Sequence, residues 1–274
     1  MPAVPETDSQ WISEETDLLK PSGARVYDYL LGGAHNFAVD RALAHRLLEL
    51  HPTGAAVARL NRAFMRRAVL LMVEQGIRQF IDLGSGIPTV GNVHEVAQKA
   101  EPSCRVVYVD HEDVAAAHGR LLLEGNDRAA MLQADVSLPD GVLDAPETTG
   151  LIDFTEPVGL LAITVLHYLS PEQNPADVLR RYREAMAAGS YLAISHAASD
   201  FRSVRMAEAV DEMRSSSAEG IYPRSRDEVL ALFEGFELIE PGLVTTSQWR
   251  PDWSIDPGGN PEDDGLYAGV GRKG

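Results

Sequence analysis

The chain has 274 residues, of which 45% are hydrophobic and 24% are charged, a composition typical of a globular protein with its own core. No apolar run approaches the ~20 residues that a membrane-spanning helix needs, and the formal net charge of −17 disfavours a nucleic-acid partner, because such a chain repels phosphate backbones. The single cysteine, Cys104, excludes an intrachain disulfide and fits a reducing cytoplasm.

The N-terminal part of the chain divides into a tail and a helical segment. Residues 1–20 are polar and acidic at first, so we predict a disordered tail rather than a signal peptide. Residues 21–76 show helical spacing of apolar residues, opening at the capping residue Ser22 and closing at Gly76. A segment of roughly fifty residues buries little core alone, so we expect these helices to form a cap packed on the rest of the chain.

Residues 77–274 alternate predicted strands with predicted helices, the pattern of one α/β domain built on a parallel sheet with helices on both faces. A polar helix is predicted over 201–217 and a long surface loop over 248–264. The predicted strands cover 77–83, 105–110, 129–133, 157–167, 191–196, 236–240 and 266–272.

The first predicted strand ends in Asp82 and a glycine turn, Gly84-Ser85-Gly86. Glycines take positive φ without strain and let a ligand lie against the backbone, while the following helix directs its free N–H groups at that ligand. A dinucleotide-binding loop needs a third glycine where this chain has Thr89. The turn therefore indicates a nucleotide-type site without a pyrophosphate loop, and an ordinary strand-to-helix turn is the alternative.

Two more acids follow at the ends of the second and third predicted strands, Asp110 and Asp135. Because ligands of open α/β sheets bind at the carboxyl ends of the strands, we expect both acids to converge with Asp82 on one cleft. A carboxylate after the second strand can accept hydrogen bonds from both hydroxyls of a ribose. Each acid alone is compatible with a helix cap, but three at successive strand ends favour a cofactor site.

Together with their flanks, these motifs resemble the class I S-adenosylmethionine-dependent methyltransferases, and among them the predicted methyltransferases with an N-terminal helical segment and largely unassigned substrates. The resemblance extends from near Pro21 to the C-terminus. It implies a Rossmann-like fold with a mostly parallel seven-stranded sheet, whose last strand lies antiparallel between the fifth and sixth, and S-adenosyl-L-methionine as cofactor. It rests on residues 24–33, 36–37, 61–64, 82–86, 92–97, 107–110, 135–136 and 267–272.

The resemblance also implies which residues bind the cofactor. The strand-one acid and the glycine turn would hold its methionine part, Asp110 its ribose, and residues after the second and third strands its adenine. Two residues of the cap would fold over the cleft, although Tyr27 is equally compatible with a purely core position. The expected cofactor-binding residues are Asp82, Gly84, Ser85, Gly86, Asp110, His111, Asp135, Val136, Tyr27 and Asn36.

Catalysis of methyl transfer makes few demands on side chains. The reaction is an in-line displacement, so alignment and the exclusion of water supply most of the rate, and a base is optional. If the acceptor is a hydroxyl, His167 is the first candidate base and His196 the second, while a structural role is the alternative for both. No group of His and Cys has metal-ligand spacing, so we predict no metal.

The sequence thus predicts a cytoplasmic S-adenosylmethionine-dependent methyltransferase that acts on the oxygen or nitrogen of a small molecule. A non-catalytic cofactor-binding module stays open, because a displacement needs no diagnostic catalytic residue. An NAD-dependent oxidoreductase is disfavoured by Thr89 and by the lack of a recognisable Tyr-x-x-x-Lys pair.

Overall fold

The computed structural model describes residues 19–88, 91–200, 204–216, 220–252 and 264–274. Within them the helices are α1 Gly23–Leu30, α2 Ala38–Leu50, α3 Gly54–Glu74, α4 Val93–Ala100, α5 Asp113–Leu122, α6 Pro139–Leu143, α7 Pro146–Leu151, α8 Pro175–Ala185, α9 Val204–Ser216 and α10 Arg226–Ala231. Short 3₁₀ helices cover Leu166–Tyr168 and Pro171–Gln173. The strands are β1 Gln79–Leu83, β2 Arg105–Asp110, β3 Ala129–Gln133, β4 Gly159–Ile163, β5 Tyr191–Ala197, β6 Phe236–Leu238, β7 Val244–Thr245 and β8 Leu266–Lys273.

These strands form one sheet in the order β3-β2-β1-β4-β5-β8-β6, with the two-residue strand β7 also paired to β8. β1 to β5 run parallel, and β8 runs antiparallel between β5 and β6. The predicted mostly parallel sheet and the position of its last strand are therefore confirmed. The order reverses between β1 and β4, which is the point where open α/β sheets bind ligands.

Alternate residues of the central strands pack into separate hydrophobic cores on the two faces of the sheet. On β1, Ile81 and Leu83 contribute to one core with α6, α8 and α10, whereas Phe80 contributes to the other with α3 and α4. Full burial of a large apolar side chain stabilises a fold by roughly 1.5–3 kcal/mol. The apolar runs predicted as buried strands are therefore what holds the sheet between its two helical layers.

The N-terminal helices divide between these cores and a smaller cluster. α3 covers the sheet directly, since Phe64 is fully buried and packs edge-on against Trp249 with 5.3 Å between ring centroids. α1 and α2 instead pack with α9 in a cluster that includes Val26, Leu43 and Met213. The segment predicted as one cap thus contains a sheet-covering helix and a separate helix pair.

The prediction of a fourth strand over 157–167 was too long. β4 ends at Ile163, because Thr164 takes the left-handed conformation with a φ of 54° and the chain enters the 3₁₀ helix that carries His167. Of the predicted polar helix over 201–217, residues 204–216 form α9, and the remaining residues lie outside the described ones. Residues 1–18 of the predicted tail and 253–263 of the predicted loop lie outside the described residues. Among the described helices, none combines the length and the apolar character needed to cross a bilayer.

Candidate active site

A cavity of about 560 Å³ lies at the carboxyl ends of β1, β2, β4 and β5, and α1 and α3 form part of its wall. It extends across the switch point of the sheet, from residues that follow β3 to residues at the start of β8. All the expected cofactor-binding residues except Asn36 line this cavity, as does the first candidate base, His167. Its size is within the range of small-molecule and cofactor sites.

The glycine turn after β1 has the backbone conformation that the sequence predicted. Gly84 and Gly86 have φ values of 63° and 64°. A Cβ on Gly84 would lie 2.2 Å from Cγ2 of Val165, so this position also needs glycine for space. The backbone N–H groups of Gly84 and Ser85 donate to the carbonyl of Val109, at 2.8 and 3.1 Å. The turn is thereby fixed to β2 while facing the cavity.

Asp110 joins this turn to the end of β2. Its Oδ2 accepts a hydrogen bond from the N–H of Gly86 at 2.7 Å, and its Oδ1 accepts one from the N–H of Glu112 at 3.0 Å. The side chain is buried in the cavity wall. A carboxylate oxygen has two lone pairs and can accept from a ligand hydroxyl as well as from a backbone N–H group.

Asp82 is buried at the end of β1, next to Asp110 and Arg62. Burial raises the pKa of its carboxyl to about 7, the Arg62 guanidinium opposes this shift, and the Asp110 carboxylate adds to it. Arg62 is held in place by a hydrogen bond from its Nη2 to the carbonyl of Gly91, at 2.8 Å. Near neutral pH, a cationic ligand group would therefore favour the ionised form of Asp82.

The predicted adenine-contacting residues lie at the β2 and β3 end of the cavity. His111 is largely exposed, with Nδ1 at 3.9 Å from Oδ1 of Asp110. Oδ1 of Asp135 accepts a hydrogen bond from the N–H of Ser137 at 2.8 Å, and the carbonyl of Val136 accepts one from the Tyr182 hydroxyl at 3.0 Å. The structure brings these residues together, and their contacts with adenine stay a prediction.

Tyr27 reaches the cavity from α1 and belongs to a buried polar network. Its hydroxyl donates to the carbonyl of Ala58 at 3.1 Å and accepts from Nδ2 of Asn61 at 2.9 Å. The amide of Asn61 also contacts Oγ1 of Thr164 at 3.2 Å and accepts from the Ser195 hydroxyl at 2.6 Å. The network thus connects α1, α3, β4 and β5 at the cavity. Asn61 was not predicted as a site residue, although its amide within the apolar stripe of α3 is unusual.

Asn36 does not line the cavity. Its Nδ2 donates to Oδ2 of Asp28 at 2.8 Å and to the carbonyl of Gly33 at 3.0 Å, and its carbonyls accept from Arg41. These contacts shape the connection between α1 and α2. The amide next to the double glycine therefore has a structural explanation.

A second missed residue, Arg25, attaches α1 to the α/β core. Its guanidinium contacts Oδ2 of Asp40 at 2.9 Å and Oε1 of Glu112 at 2.5 Å. Glu112 caps α5 by accepting from the N–H of Ala115 at 2.7 Å, and it lines the cavity. All three charged groups are largely buried, so the position of α1 is coupled to Glu112, which lies two residues after the ribose-binding candidate Asp110.

The two candidate bases occupy different positions. His167 lines the cavity from the 3₁₀ helix after β4, and burial, together with His196 and Arg224, lowers the pKa of its imidazole well below the usual range. His196 is fully buried on β5 and does not line the cavity. Burial lowers the pKa of His196 to about 4, and its Nε2 accepts from Nη1 of Arg224 at 2.9 Å. Arg224 was not identified from the sequence.

Residues 9–274 match the S-adenosyl methyltransferase family. The chain belongs to this family. It is similar over 94% of its length to the crystal structure of a putative methyltransferase from Thermobifida fusca, with 42% identity, a TM-score of 0.88 and 96% of that chain covered. A DUF574 family protein from Streptomyces avermitilis is 36% identical, with a TM-score of 0.90, over 94% of this chain and 99% of that one.

A more distant solved structure is similar to this chain in fold only. Human N-acetylserotonin methyltransferase in complex with S-adenosylmethionine is 14% identical, with a TM-score of 0.50, over 90% of this chain and 62% of that one. Comparison with curated proteins finds no match. The family to which the chain belongs therefore assigns it to the methyltransferases. The alternative of an NAD-dependent oxidoreductase is rejected.

The cofactor of this methyltransferase is S-adenosylmethionine, and the donor set at the cavity fits it. Gly84 and Gly86 have positive φ and no side chain, so a ligand can lie against the backbone at these two positions. Asp110 presents a carboxylate in the cavity wall, a group that accepts hydrogen bonds from a diol, and Asp82 has a carboxyl that a cationic amino group would ionise. Among the described residues, no group of three or more His, Cys, Asp or Glu side chains is arranged to hold a metal ion.

Proposed function

We propose that this methyltransferase transfers the methyl group to an oxygen or nitrogen atom of a small molecule with an apolar body. The observation that carries the proposal is the continuation of the cavity beyond the expected cofactor site, over the ends of β4 and β5 and the start of β8. This part of the cavity, hereafter the acceptor half, has mostly apolar and aromatic walls. Its lining residues include Tyr168, Leu169, Val210, Ile221, Tyr222, Pro223 and Leu266.

In this proposal the cofactor and the methyl acceptor bind in different halves of the cavity, on opposite sides of the switch point. The cofactor-binding candidates follow β1, β2 and β3, whereas the acceptor half follows β4 and β5. When bound, the cofactor supplies an electrophilic methyl group on a sulfonium. The residues of the chain would then align an acceptor atom with that methyl group and keep water away from it, which are the contributions that an in-line displacement needs most.

Charge supports a small acceptor over a polyanionic one. The chain carries a formal net charge of −17, and acids line the cofactor half of the cavity. An RNA or DNA strand would meet a repulsive potential at distances beyond direct contact. A compact apolar molecule gains from burial in the acceptor half without that repulsion.

Label transfer from S-adenosyl-[methyl-³H]methionine tests this proposal. The purified protein is incubated with separate pools of phenols, aryl amines, bulk tRNA and denatured protein. We expect label in the phenol or amine pool, loss of transfer in Asp110→Ala, and retention in Asp127→Ala, a substitution at an exposed acid. Label found only in the tRNA or protein pool would contradict a small-molecule acceptor.

A further inference from the structure

His167 is held in one orientation at the acceptor half. The backbone N–H of Ala197 donates a hydrogen bond to its Nδ1 at 3.3 Å, and its own carbonyl accepts from the N–H of Tyr222 at 2.6 Å. The ring packs against that of Tyr168, with 4.6 Å between centroids. Ala197, Tyr168 and Tyr222 also line the cavity, so the imidazole is part of a fixed wall.

The hydrogen bond from Ala197 determines which ring nitrogen carries the proton. A neutral imidazole has one N–H group and one lone pair, and a nitrogen that accepts a hydrogen bond uses that lone pair. Because Nδ1 accepts, the proton of neutral His167 is on Nε2. Nε2 then has no lone pair with which to take a proton, so it is suited to donating a hydrogen bond.

Burial keeps His167 neutral by lowering the pKa of its imidazole, and neighbouring groups add to this effect. Nε2 of His196 accepts from Nη1 of Arg224, and Nδ1 of His196 contacts the carbonyl of Ala197 at 2.9 Å, so His196 is neutral as well. The two imidazole rings are 5.5 Å apart, and the Arg224 cation disfavours a second positive charge in this cluster. Glu228 adds an opposing charge near Arg224 and His196.

Arg224 also holds the segment that carries His167. Its guanidinium donates to the carbonyls of Leu166 and Leu169, at 2.9 and 2.8 Å, on either side of the short 3₁₀ turn. Nε2 of His167 makes no hydrogen bond to a described residue. The atom is also not completely enclosed by the protein. Nε2 is therefore left available to a ligand in the cavity.

We propose that His167 donates a hydrogen bond from Nε2 to an oxygen of the methyl acceptor, and that the acceptor is a molecule with an apolar ring bearing a carbonyl or phenolate oxygen. This inference rests on the proposed function, since it describes the acceptor of that reaction. It differs from the proton-accepting role predicted for His167 from the sequence. Arg224 acts through His167 as a positioning residue, by fixing the 3₁₀ turn and keeping the imidazole neutral.

The tautomer is tested on the whole protein saturated with S-adenosylhomocysteine. Long-range ¹H–¹⁵N correlation spectra of ¹⁵N-histidine-labelled protein distinguish the Nε2–H form from the Nδ1–H form, and backbone correlations assign His167 without any variant. We expect the neutral Nε2–H form from pH 5.5 to pH 8. A neutral Nδ1–H form, or a ring that is protonated at pH 5.5, would overturn the proposal.

Three ring probes of similar shape test the donated hydrogen bond. 1-Indanone presents a carbonyl acceptor, indoline presents an N–H donor, and indane presents neither. In titrations of the protein saturated with S-adenosylhomocysteine, we expect indanone to bind at least tenfold more tightly than indane. We expect the ratio of the indane Kd to the indanone Kd to fall close to one in His167→Phe. The control is His45→Phe, at an exposed position on α2, in which the ratio should be unchanged.

Two binding results would overturn the proposal. Tighter binding of indoline than of indanone to the wild-type protein would show that the site offers an acceptor rather than a donor. Failure of all three probes to bind at millimolar concentration would reject an apolar ring as the acceptor class. These measurements follow binding and proton position alone, so they are separate from the label-transfer assay, whose failure would reject the proposed function itself.

Discussion

Asp110 shows how one side chain serves both the turn and the ligand. Its two oxygens accept from the N–H groups of Gly86 and Glu112, which fixes the loops after β1 and β2 relative to each other. The same oxygens face the cavity. Removal of the carboxylate therefore loses charge-assisted hydrogen bonds to the cofactor and loosens the glycine turn at the same time.

We expect Asp110→Ala to weaken S-adenosylmethionine binding by about 1.5 to 3 kcal/mol, because hydrogen bonds from the ribose to a charged group are lost. Isothermal titration calorimetry measures the change, and circular dichroism shows whether the variant is folded. Asp127→Ala, at an exposed acid after α5, is the matched control and should bind as the wild type does. An unchanged dissociation constant in folded Asp110→Ala would place the ribose elsewhere.

Because the pKa of Asp82 is raised, its contribution to the unfolding free energy falls as pH rises, whereas that of an ordinary ion-paired acid increases. The folded pKa of about 7 exceeds the unfolded value, so between about pH 4 and pH 7 the folded protein binds more protons. Stability from this group is present below the unfolded pKa and is lost as pH rises through 7. We expect Asp82→Asn, which cannot ionise, to stabilise the ligand-free protein, and more so at pH 8 than at pH 5 by roughly 2–3 kcal/mol.

Urea unfolding of wild type and Asp82→Asn at both pH values measures this difference. Asp127→Asn again serves as the control, and its effect should be the same at pH 5 and pH 8. Equal effects of Asp82→Asn at the two pH values would show that the carboxyl titrates at its ordinary pKa in the folded protein.

Residues at strand ends were predictable, and residues joined by tertiary contacts were not. Asp82 and Asp110 lie at the ends of β1 and β2 and Asp135 lies just after β3, so the parallel sheet alone brings them to the cavity. Asn61 and Arg224 lie on different elements, and their importance arises from partners more than fifty residues away, as in the bonds to Ser195 and Leu166. The amide in the apolar stripe of α3 marks Asn61 as unusual, but no local pattern identifies the partners of either residue.

At the scale of single elements, the end of β4 shows where sequence patterns fail. The apolar run over 157–167 continues without a glycine or proline stop after Ile163, so it favours an unbroken strand. In the structure the strand ends at Ile163, just before Thr164, whose N–H is bonded to Ser195 and whose φ of 54° is unusual for a β-branched residue. Contacts with β5 and Asn61, rather than local preference, impose this turn and thereby place His167 at the cavity.

The attachment of α1 also belongs to the element scale. Arg25 bonds to Asp40 of α2 and to Glu112 at the N-terminus of α5, and its side chain is 3% exposed. Removing one member of a buried ion pair leaves uncompensated charges and costs about 3–5 kcal/mol in other proteins. We expect Arg25→Met to lower the unfolding free energy by about 3 kcal/mol and to weaken cofactor binding, because α1 forms part of the cavity wall.

Arg180→Met is the matched control for Arg25→Met. Arg180 pairs with Asp177 and Glu184 on the surface of α8, where solvent screens the charges, so its replacement should change neither stability nor affinity appreciably. Denaturant unfolding and calorimetry on the same samples separate the two effects. A loss of stability in Arg25→Met with unaltered cofactor affinity would make α1 a structural cover and not part of the binding site.

At the scale of the whole molecule, the cavity joins elements that are distant in sequence. Its walls come from α1 and α3, from the ends of β1, β2, β4 and β5, and from the start of β8. The mostly parallel sheet was predictable from the alternation of strands and helices, and the position of its last strand was predictable from the family resemblance. The division of the N-terminal helices between the sheet and a separate cluster was not, because amphipathic helices of similar pattern can pack on either surface.

Because this cavity is shared by so many elements, cofactor binding should stabilise the protein as a whole. A ligand that binds only the folded state adds about 2.7 kcal/mol to the unfolding free energy when its concentration is 100 times its Kd. We expect this gain with S-adenosylmethionine in urea unfolding, and no gain with NAD at the same concentration. In Asp110→Ala at that concentration the gain should fall below about 1.3 kcal/mol, because the weaker Kd leaves less excess ligand. Stabilisation by NAD, or equal stabilisation of wild type and Asp110→Ala, would contradict the placement of the cofactor at the glycine turn.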